Sequence, residues 1–191
     1  FPMHGAVKSD AYGWANYPIG VVRVMEDAGH RAAHGFDIVL YGTLPNGAGL
    51  SSSASIEVLM AVILNDELNL GIDMVELVKF SQKAENEFVG MNCGIMDQFA
   101  VGMGKKDCAI LLDCNTLSYR YSKLALDGCS IVITNTNKTH SLVTSAYNER
   151  RAQCESALKA LQKVKPIKAL GELTNAEFDA IASAIPDPVE R

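Results

Sequence analysis

No stretch of this 191-residue chain is apolar for long enough to cross a bilayer, so a membrane-spanning role is not expected. Its five cysteines are odd in number and lack metal-ligand spacing, which argues against a disulfide framework. Reduced thiols in the cytoplasm are the expectation, with Cys108, Cys114 and Cys129 as small core residues. His4, His30, His34 and His140 form no ligand set, so a zinc site is not expected. Positive charge is short as well: 17 Lys and Arg against 22 Asp and Glu leave a net charge of −5. Arg150-Arg151 and the Lys159–Lys168 stretch fit a solvated helix face, so a nucleic-acid partner is not expected either. There is no secretory signal pattern, internal repeat or low-complexity tract. What is present, 48% apolar residues, suits a globular protein with a real core, of one domain or one and a half.

The most informative stretch is P-N-G-A-G-L-S-S-S-A-S, residues 45–55. Gly47 and Gly49 let backbone approach an anion, and the amides that open the next helix point at it. The stretch lacks the G-K-[ST] ending of the P-loop, so the helix that follows must supply the positive field, with Ile56, Leu59, Met60 and Ile63 expected on one side. A Gly/Ser turn capping a buried helix is the alternative.

A second constellation, E-N-E-F-V-G-M-N-C-G-I-M-D-Q-F, covers residues 85–99. The helix before it opens with Asp73 as cap and Glu76 three residues on, and presents Leu77, Phe80, Ala84 and Phe88 as its apolar face. Glu85 falls just off that face, as a solvated rim residue or as an oxygen ligand for a phosphate-bound magnesium. Asp97, after a turn holding Gly94, is either a helix cap or a reactive carboxylate.

Elsewhere the pattern predicts a helix over Trp14–Met25 with Pro18 in its first turn, and a strand around Asp37–Tyr41. Helices follow over Ser52–Leu70 and Asp73–Phe88, with Gly71 between them. Strands come next at Cys108–Leu112, Ser118–Leu124 and Cys129–Thr134. A helix over Thr144–Lys163 and a last one capped by Thr174 with Glu177, stopped by Pro186, complete the chain. Helices and strands each come in runs, so the fold class is α+β.

The segments G-A-G-L-S-S-S-A-S, C-G-I-M-D-Q-F and N-T-N-K-T-H-S-L-V-T-S-A-Y-N-E-R-R-A-Q-C-E together resemble, in order and spacing, the galactokinase branch of the GHMP small-molecule kinases. The likeness runs from Trp14-Ala15-Asn16-Tyr17 to about Ala160; the first motif is shared across those kinases, and the other two are closer to galactokinases. It implies a two-lobed architecture, with residues 1–104 the remainder of an ATP-binding N-terminal domain and 105–191 the beginning of the C-terminal one. It implies transfer of the γ-phosphoryl group of ATP to the anomeric hydroxyl of galactose, giving α-galactose 1-phosphate. Asp97 matches the aspartate that takes the hydroxyl proton and touches the sugar. Gly47, Ala48, Gly49, Leu50, Ser51, Ser52 and Ser53 match the phosphate wrap, and Ser53 and Glu85 match the residues that hold Mg²⁺.

On the same basis Gly94 lets backbone approach the sugar, and Tyr147 matches a sugar-contacting tyrosine. By its residues alone Tyr147 could equally anchor the Cys154, Leu158 and Leu161 stripe. Trp14 matches an aromatic near adenine, although the loop after it is longer than the family pattern. That family begins with a signature holding an arginine, a Glu-His pair and an aspartate, which Phe1–Asp10 does not resemble, and it ends on a further glycine-rich motif. The expectation is therefore the middle of a longer kinase, inactive by itself. A sugar- and ATP-binding regulator on the same fold remains an alternative, as does a GHMP kinase for N-acetylgalactosamine or another small alcohol. The unbroken Ser51–Ser55 run favours the enzyme. Galactose and ATP are the expected partners, and the residues carry no signal for an oligomeric state.

Overall fold

Local stop and start signals define the helices of the first half. Asn16–Asp27 forms α1 with Pro18 in its first turn, where the missing N–H is not needed. Ser52–Glu67 forms α2, ended by Asn69 and Gly71, both at positive φ. Met74–Lys83 forms α3, whose cap Asp73 accepts from the amide of Glu76 at 3.0 Å. A π-helical turn, Ala84–Val89, continues α3, and Met96–Met103 forms α4. The computed structural model describes residues 1, 2, 4–45, 48–135 and 143–191. Phe1–His140 and Ser141–Arg191 are two compact units, and the lobe boundary expected near Lys105 lies inside the first.

In the first unit α1, α2 and α3 share a core built on Val21, Met25, Ala61, Leu64 and Leu77. A second cluster, Val58, Val78, Ile95 and Phe99, joins α2, α3 and α4 to a hairpin. The hairpin pairs β1, Cys108–Leu112, antiparallel with β2, Tyr119–Lys123, in the register Cys108 opposite Lys123 and Leu112 opposite Tyr119. Helices with a small antiparallel sheet make the α+β class expected from the sequence.

The helices α3 and α4 cross closely at Gly102, where an added Cβ would stand 2.5 Å from Val78 Cγ2 and 3.2 Å from Met74 Sδ. Val78 is fully buried and β-branched, so it cannot swing aside. Gly102→Ala is expected to destabilise the unit by about 1–3 kcal/mol through overpacking, despite the better helix propensity of alanine. Denaturant titration checks this; an unchanged or raised midpoint contradicts it.

Several expectations need correction. Residues 37–41 and 129–134 are not strands: a strand exists only beside a partner, and among the described residues none lies alongside either segment. Val39 and Val132 are 97% and 83% exposed as a result. Cys114 and Cys129 are exposed and Cys108 only half-buried, so these thiols are not core residues; the first two sit in turns outside the packed layers. Along α2 the buried positions are Ala54, Glu57, Val58, Met60, Ala61 and Leu64 rather than Ile56, Leu59 and Ile63, because α1, α3 and α4 enclose that side.

The second unit packs α5, Val143–Leu161, against α6, Asn175–Ile181, around Ala157, Leu161, Ile167 and Ile185. Thr174 and Glu177 form the expected capping box. Glu177 also pairs with Lys165, and Lys165 first, then Thr174, bring its carboxyl down to about 2.

Candidate active site

The start of α2 has the backbone of an anion cradle. Gly49 has φ 70° and Ser51, the helix cap, has φ 55°. Left-handed geometry is strained at a serine, and such strain is found mainly where a site needs it. Ser51 makes no side-chain capping bond, so the first-turn amides of α2 are left for another acceptor. Ala48, Leu50, Ser51, Ser52 and Ser53 are half-buried around this turn; Gly47 lies outside the described residues.

An apolar cleft of about 150 Å³ adjoins the cradle, lined by Trp14, Pro18, Phe36, Ile38, Ile56 and Met60 among others. Ile56 stands on α2 just beyond Ser53. Trp14 is 62% exposed over the cleft and is held there by its neighbour Asn16. Buried Asn16 donates to the carbonyls of Ser9 and Gly13 at 2.8 and 2.9 Å and accepts from the amide of Ser9 at 3.1 Å. The bonds pin the short 3-10 segment Asp10–Ala15 on which Trp14 is carried.

Beneath the cradle lies a polar cluster that the sequence reading did not foresee in full. Glu57, Glu85 and Gln98 are buried together, at 0, 3 and 0% exposure. Gln98 Nε2 donates to Glu57 Oε2 at 3.1 Å and also to Glu85 Oε2, which accepts from Cys93 Sγ at 3.4 Å. Glu85 is therefore not a solvated rim residue. The buried face of α3 runs through Val78 and Ser81 to Ala84 and Glu85, leaving Phe80 and Phe88 at its margin. The π-helical turn closes on the carbonyl of Glu85, which accepts from the amides of Gly90 and Met91, both at 3.0 Å. Such turns are frequent at functional sites. Glu57 could have been suspected from its place between Ala54 and Ala61 on the small-residue side of α2, but a carboxylate in a core stripe does not register as apolar periodicity.

Two buried carboxylates cannot both stay charged without a cation. Burial first, and Glu85 second, push the Glu57 carboxyl up to about 9. Ionised, its Oε1 has no partner; protonated, it can donate to Glu85. Burial and then Glu85 push the Cys93 thiol up to about 12, so it is a donor here and not a nucleophile. Tyr17 of α1 reaches the same cluster, its phenol raised by burial, then by Glu85 and Glu57. Between 4.5 and about 9 the folded state holds a proton on Glu57 that the unfolded chain has released, so this group makes stability fall as pH rises through that window. Glu57→Gln mimics the protonated acid and is expected to flatten the fall. Melting temperatures of both proteins in EDTA from about pH 5 to about pH 9 check this, and parallel curves contradict it.

The cluster brings two of the sequence motifs together. Ser53 is one helical turn before Glu57, and Asp97 directly precedes Gln98, so the Gln98–Glu57 bond sets the first turn of α4 beside the first turn of α2. Asp97 is exposed in that first turn and is not the cap, which is Ile95. Gly94 is exposed, with open space where a Cβ would stand. Tyr147, on α5 of the second unit, is 40% exposed, so it does not anchor the Leu158 and Leu161 stripe; α5 turns that stripe, not Tyr147, into the core.

The Ser53 hydroxyl and the Glu85 carboxylate are hard oxygen donors suited to Mg²⁺, and two carboxyl groups buried side by side favour a cation close by. Among the described residues no group of three or more His, Cys, Asp or Glu could hold a metal by itself. A cation here would complete its shell with phosphate oxygens and water, the usual way Mg²⁺ binds.

The GHMP kinases N terminal domain matches residues 16–105. The chain is 58% identical over 190 residues to a galactokinase of Clostridium beijerinckii, covering 100% of this chain and 49% of that protein. It is 62% identical over 177 residues to one from Clostridium acetobutylicum, covering 93% and 46%. Its fold is similar to the crystal structure of Lactococcus lactis galactokinase complexed with galactose, with a TM-score of 0.88 and 41% identity over 100% of this chain and 49% of that one. The chain spans about half the length of the curated relatives it matches.

Proposed function

Because the chain belongs to the GHMP kinases and carries their N-terminal domain over residues 16–105, we propose that the whole protein is a galactokinase. It moves the γ-phosphoryl group of ATP to the anomeric hydroxyl of galactose, giving α-galactose 1-phosphate. The observation that carries this reading is the joining of the serine cradle and the C-G-I-M-D-Q-F turn through Gln98 and Glu57, since phosphoryl transfer needs a phosphate grip and a proton acceptor side by side.

In this reading the amides at the start of α2 and residues Gly47–Ser53 hold the phosphates, and the Trp14 cleft takes the base of the nucleotide. Ser53 and Glu85 hold Mg²⁺, which when bound neutralises phosphate charge. Asp97, standing in the first turn of α4, accepts the proton of the sugar hydroxyl. Gly94 contacts the sugar. The GHMP match ending at residue 105 supports a lobe boundary near Lys105, and the free cysteines support a cytoplasmic setting. Among the described residues no helix is long and apolar enough to cross a membrane. Residues 1–191 by themselves bind Mg-nucleotide weakly and do not turn over galactose.

A panel of galactose, glucose, N-acetylgalactosamine and non-sugar alcohols with Mg-ATP, read by ADP release, tests the assignment in the whole protein. Galactose is expected to be turned over most efficiently. Preference for N-acetylgalactosamine or a non-sugar alcohol would move the protein to another GHMP branch, and sugar-independent ADP release would remove the kinase reading.

The metal role gives a separate expectation. Glu85→Gln in the whole protein should raise the Mg-ATP requirement by about tenfold while leaving galactose affinity within about twofold, because one oxygen ligand of the cation weakens while the sugar contacts stay. Equal loss for both ligands in titrations of each would make Glu85 a structural residue.

A further inference from the structure

We propose that Gln98 is a positioning residue for this reaction: its side-chain amide clamps the buried carboxylates of Glu57 and Glu85, and thereby aims the metal ligand and ties it to the base turn and the phosphate cradle. The proposal rests on the reading of Glu85 as a Mg²⁺ ligand and Asp97 as the base.

The geometry is specific to an amide. Gln98 is fully buried, and its Nε2 faces Glu57 Oε2 at 3.1 Å and Glu85 Oε2 together, with Cys93 Sγ at 3.7 Å. Only the NH₂ end of the side chain can donate to two acceptors, so the carboxylates fix which way the amide points. Its Oε1 is left buried without a partner. A buried polar group with an orphan atom is a poor choice for packing, and a methionine of similar length would fill the same space without that cost. Local rules are broken in this way mainly at functional sites.

The amide also suits the chemistry better than a charged donor would. A lysine or arginine at this position would neutralise Glu85 and compete with the cation. The neutral amide instead orients the carboxylate and leaves its charge in place. Gln98 and Cys93 both donate to the same oxygen, Oε2, and so set the direction of the other. Since Gln98 follows Asp97 in the chain and Glu57 lies one turn from Ser53, a single side chain links base, metal ligand and cradle across α2, the π-helical turn after α3, and α4.

The test uses the whole protein and calorimetric binding of a non-hydrolysable ATP analogue with and without Mg²⁺, beside galactose binding and melting temperature. Gln98→Met is expected to weaken the Mg²⁺-dependent part of nucleotide binding by about tenfold or more, as loss of a group that orients a ligand commonly does. Metal-free nucleotide binding and galactose affinity should stay within about twofold. In the Glu85→Gln background the same change should add less than about twofold, because a residue that acts through Glu85 has nothing left to orient. Equal losses in both backgrounds would overturn the proposal. So would a lowered melting temperature with unchanged Mg²⁺ dependence, which would leave Gln98 a packing residue. Should Gln98→Met not fold, Gln98→Asn keeps an amide one methylene short and must show the same pattern at smaller size; an Mg²⁺ dependence like that of wild type would overturn the proposal. If Glu85→Gln alone leaves Mg²⁺ dependence unchanged, the ligand reading of Glu85 fails and this proposal falls with it; if Glu85→Gln responds and neither Gln98 variant does, only this proposal falls.

Discussion

Replacing Asp97 by asparagine in the whole protein is expected to lower turnover by about 10²-fold or more, the usual contribution of a positioned base. Asparagine keeps the shape of the side chain and its place in the first turn of α4, but it cannot take up the hydroxyl proton. Galactose and Mg-nucleotide affinities should therefore stay near those of wild type, and the loss should fall on turnover. Asp97 is exposed and is not needed as a helix cap, so the substitution is not expected to unfold the site. Steady-state kinetics with both substrates varied provides the check. Turnover within about threefold of wild type would remove Asp97 from the role of base.

The 191-residue chain by itself is expected to form no galactose 1-phosphate. Transfer depends on holding both reactants at near-attack distance while fixed charge neutralises the γ-phosphate, and misplacement by an ångström can cost about 10²-fold. The chain spans about half the length of its curated relatives. The resemblance assigns sugar-clamping groups, an arginine, a Glu-His pair and an aspartate, to a segment that Phe1–Asp10 does not match. Nucleotide binding is a different matter, because the strained Ser51 turn, the uncapped amides of α2 and Glu85 all lie in the first unit. Weak Mg²⁺-dependent nucleotide binding without turnover is the expected outcome. A coupled assay on purified chain, with mass spectrometry to exclude longer protein, decides it; robust product formation would show that those additional groups are dispensable.

What could be read in the sequence was mostly local. The caps at Asp73 and Thr174 announce their helices because the capping partner sits three residues on, and the stops at Gly71 and Pro186 are equally short-range. The β1 strand was legible as Cys108–Leu112 because its partner follows after a short turn. Residues 37–41 and 129–134 carry the same β-branched composition, yet pairing is a non-local property that composition does not determine. Burial failed in a similar way. Leu59 is 43% exposed and Glu57 is not exposed at all, because the surrounding helices, not hydrophobicity, decide which side of α2 is enclosed. The motif residues Ser53, Glu85 and Asp97 were visible by type and spacing. The groups that bind their turns together, Glu57 and Gln98, were not, since a buried polar pair has no periodic signature.

Phosphorus NMR of the whole protein with ATP, Mg²⁺ and galactose, run for wild type beside Asp97→Asn, tests the central claim most directly. The account predicts that ATP is converted to ADP in step with one new phosphomonoester on the α-anomeric carbon of galactose, and that the variant forms it more slowly by about 10²-fold or more. Tight binding of both ligands with no phosphomonoester, as a sensing protein on this fold would give, would contradict it, and so would a product formed equally fast without Asp97.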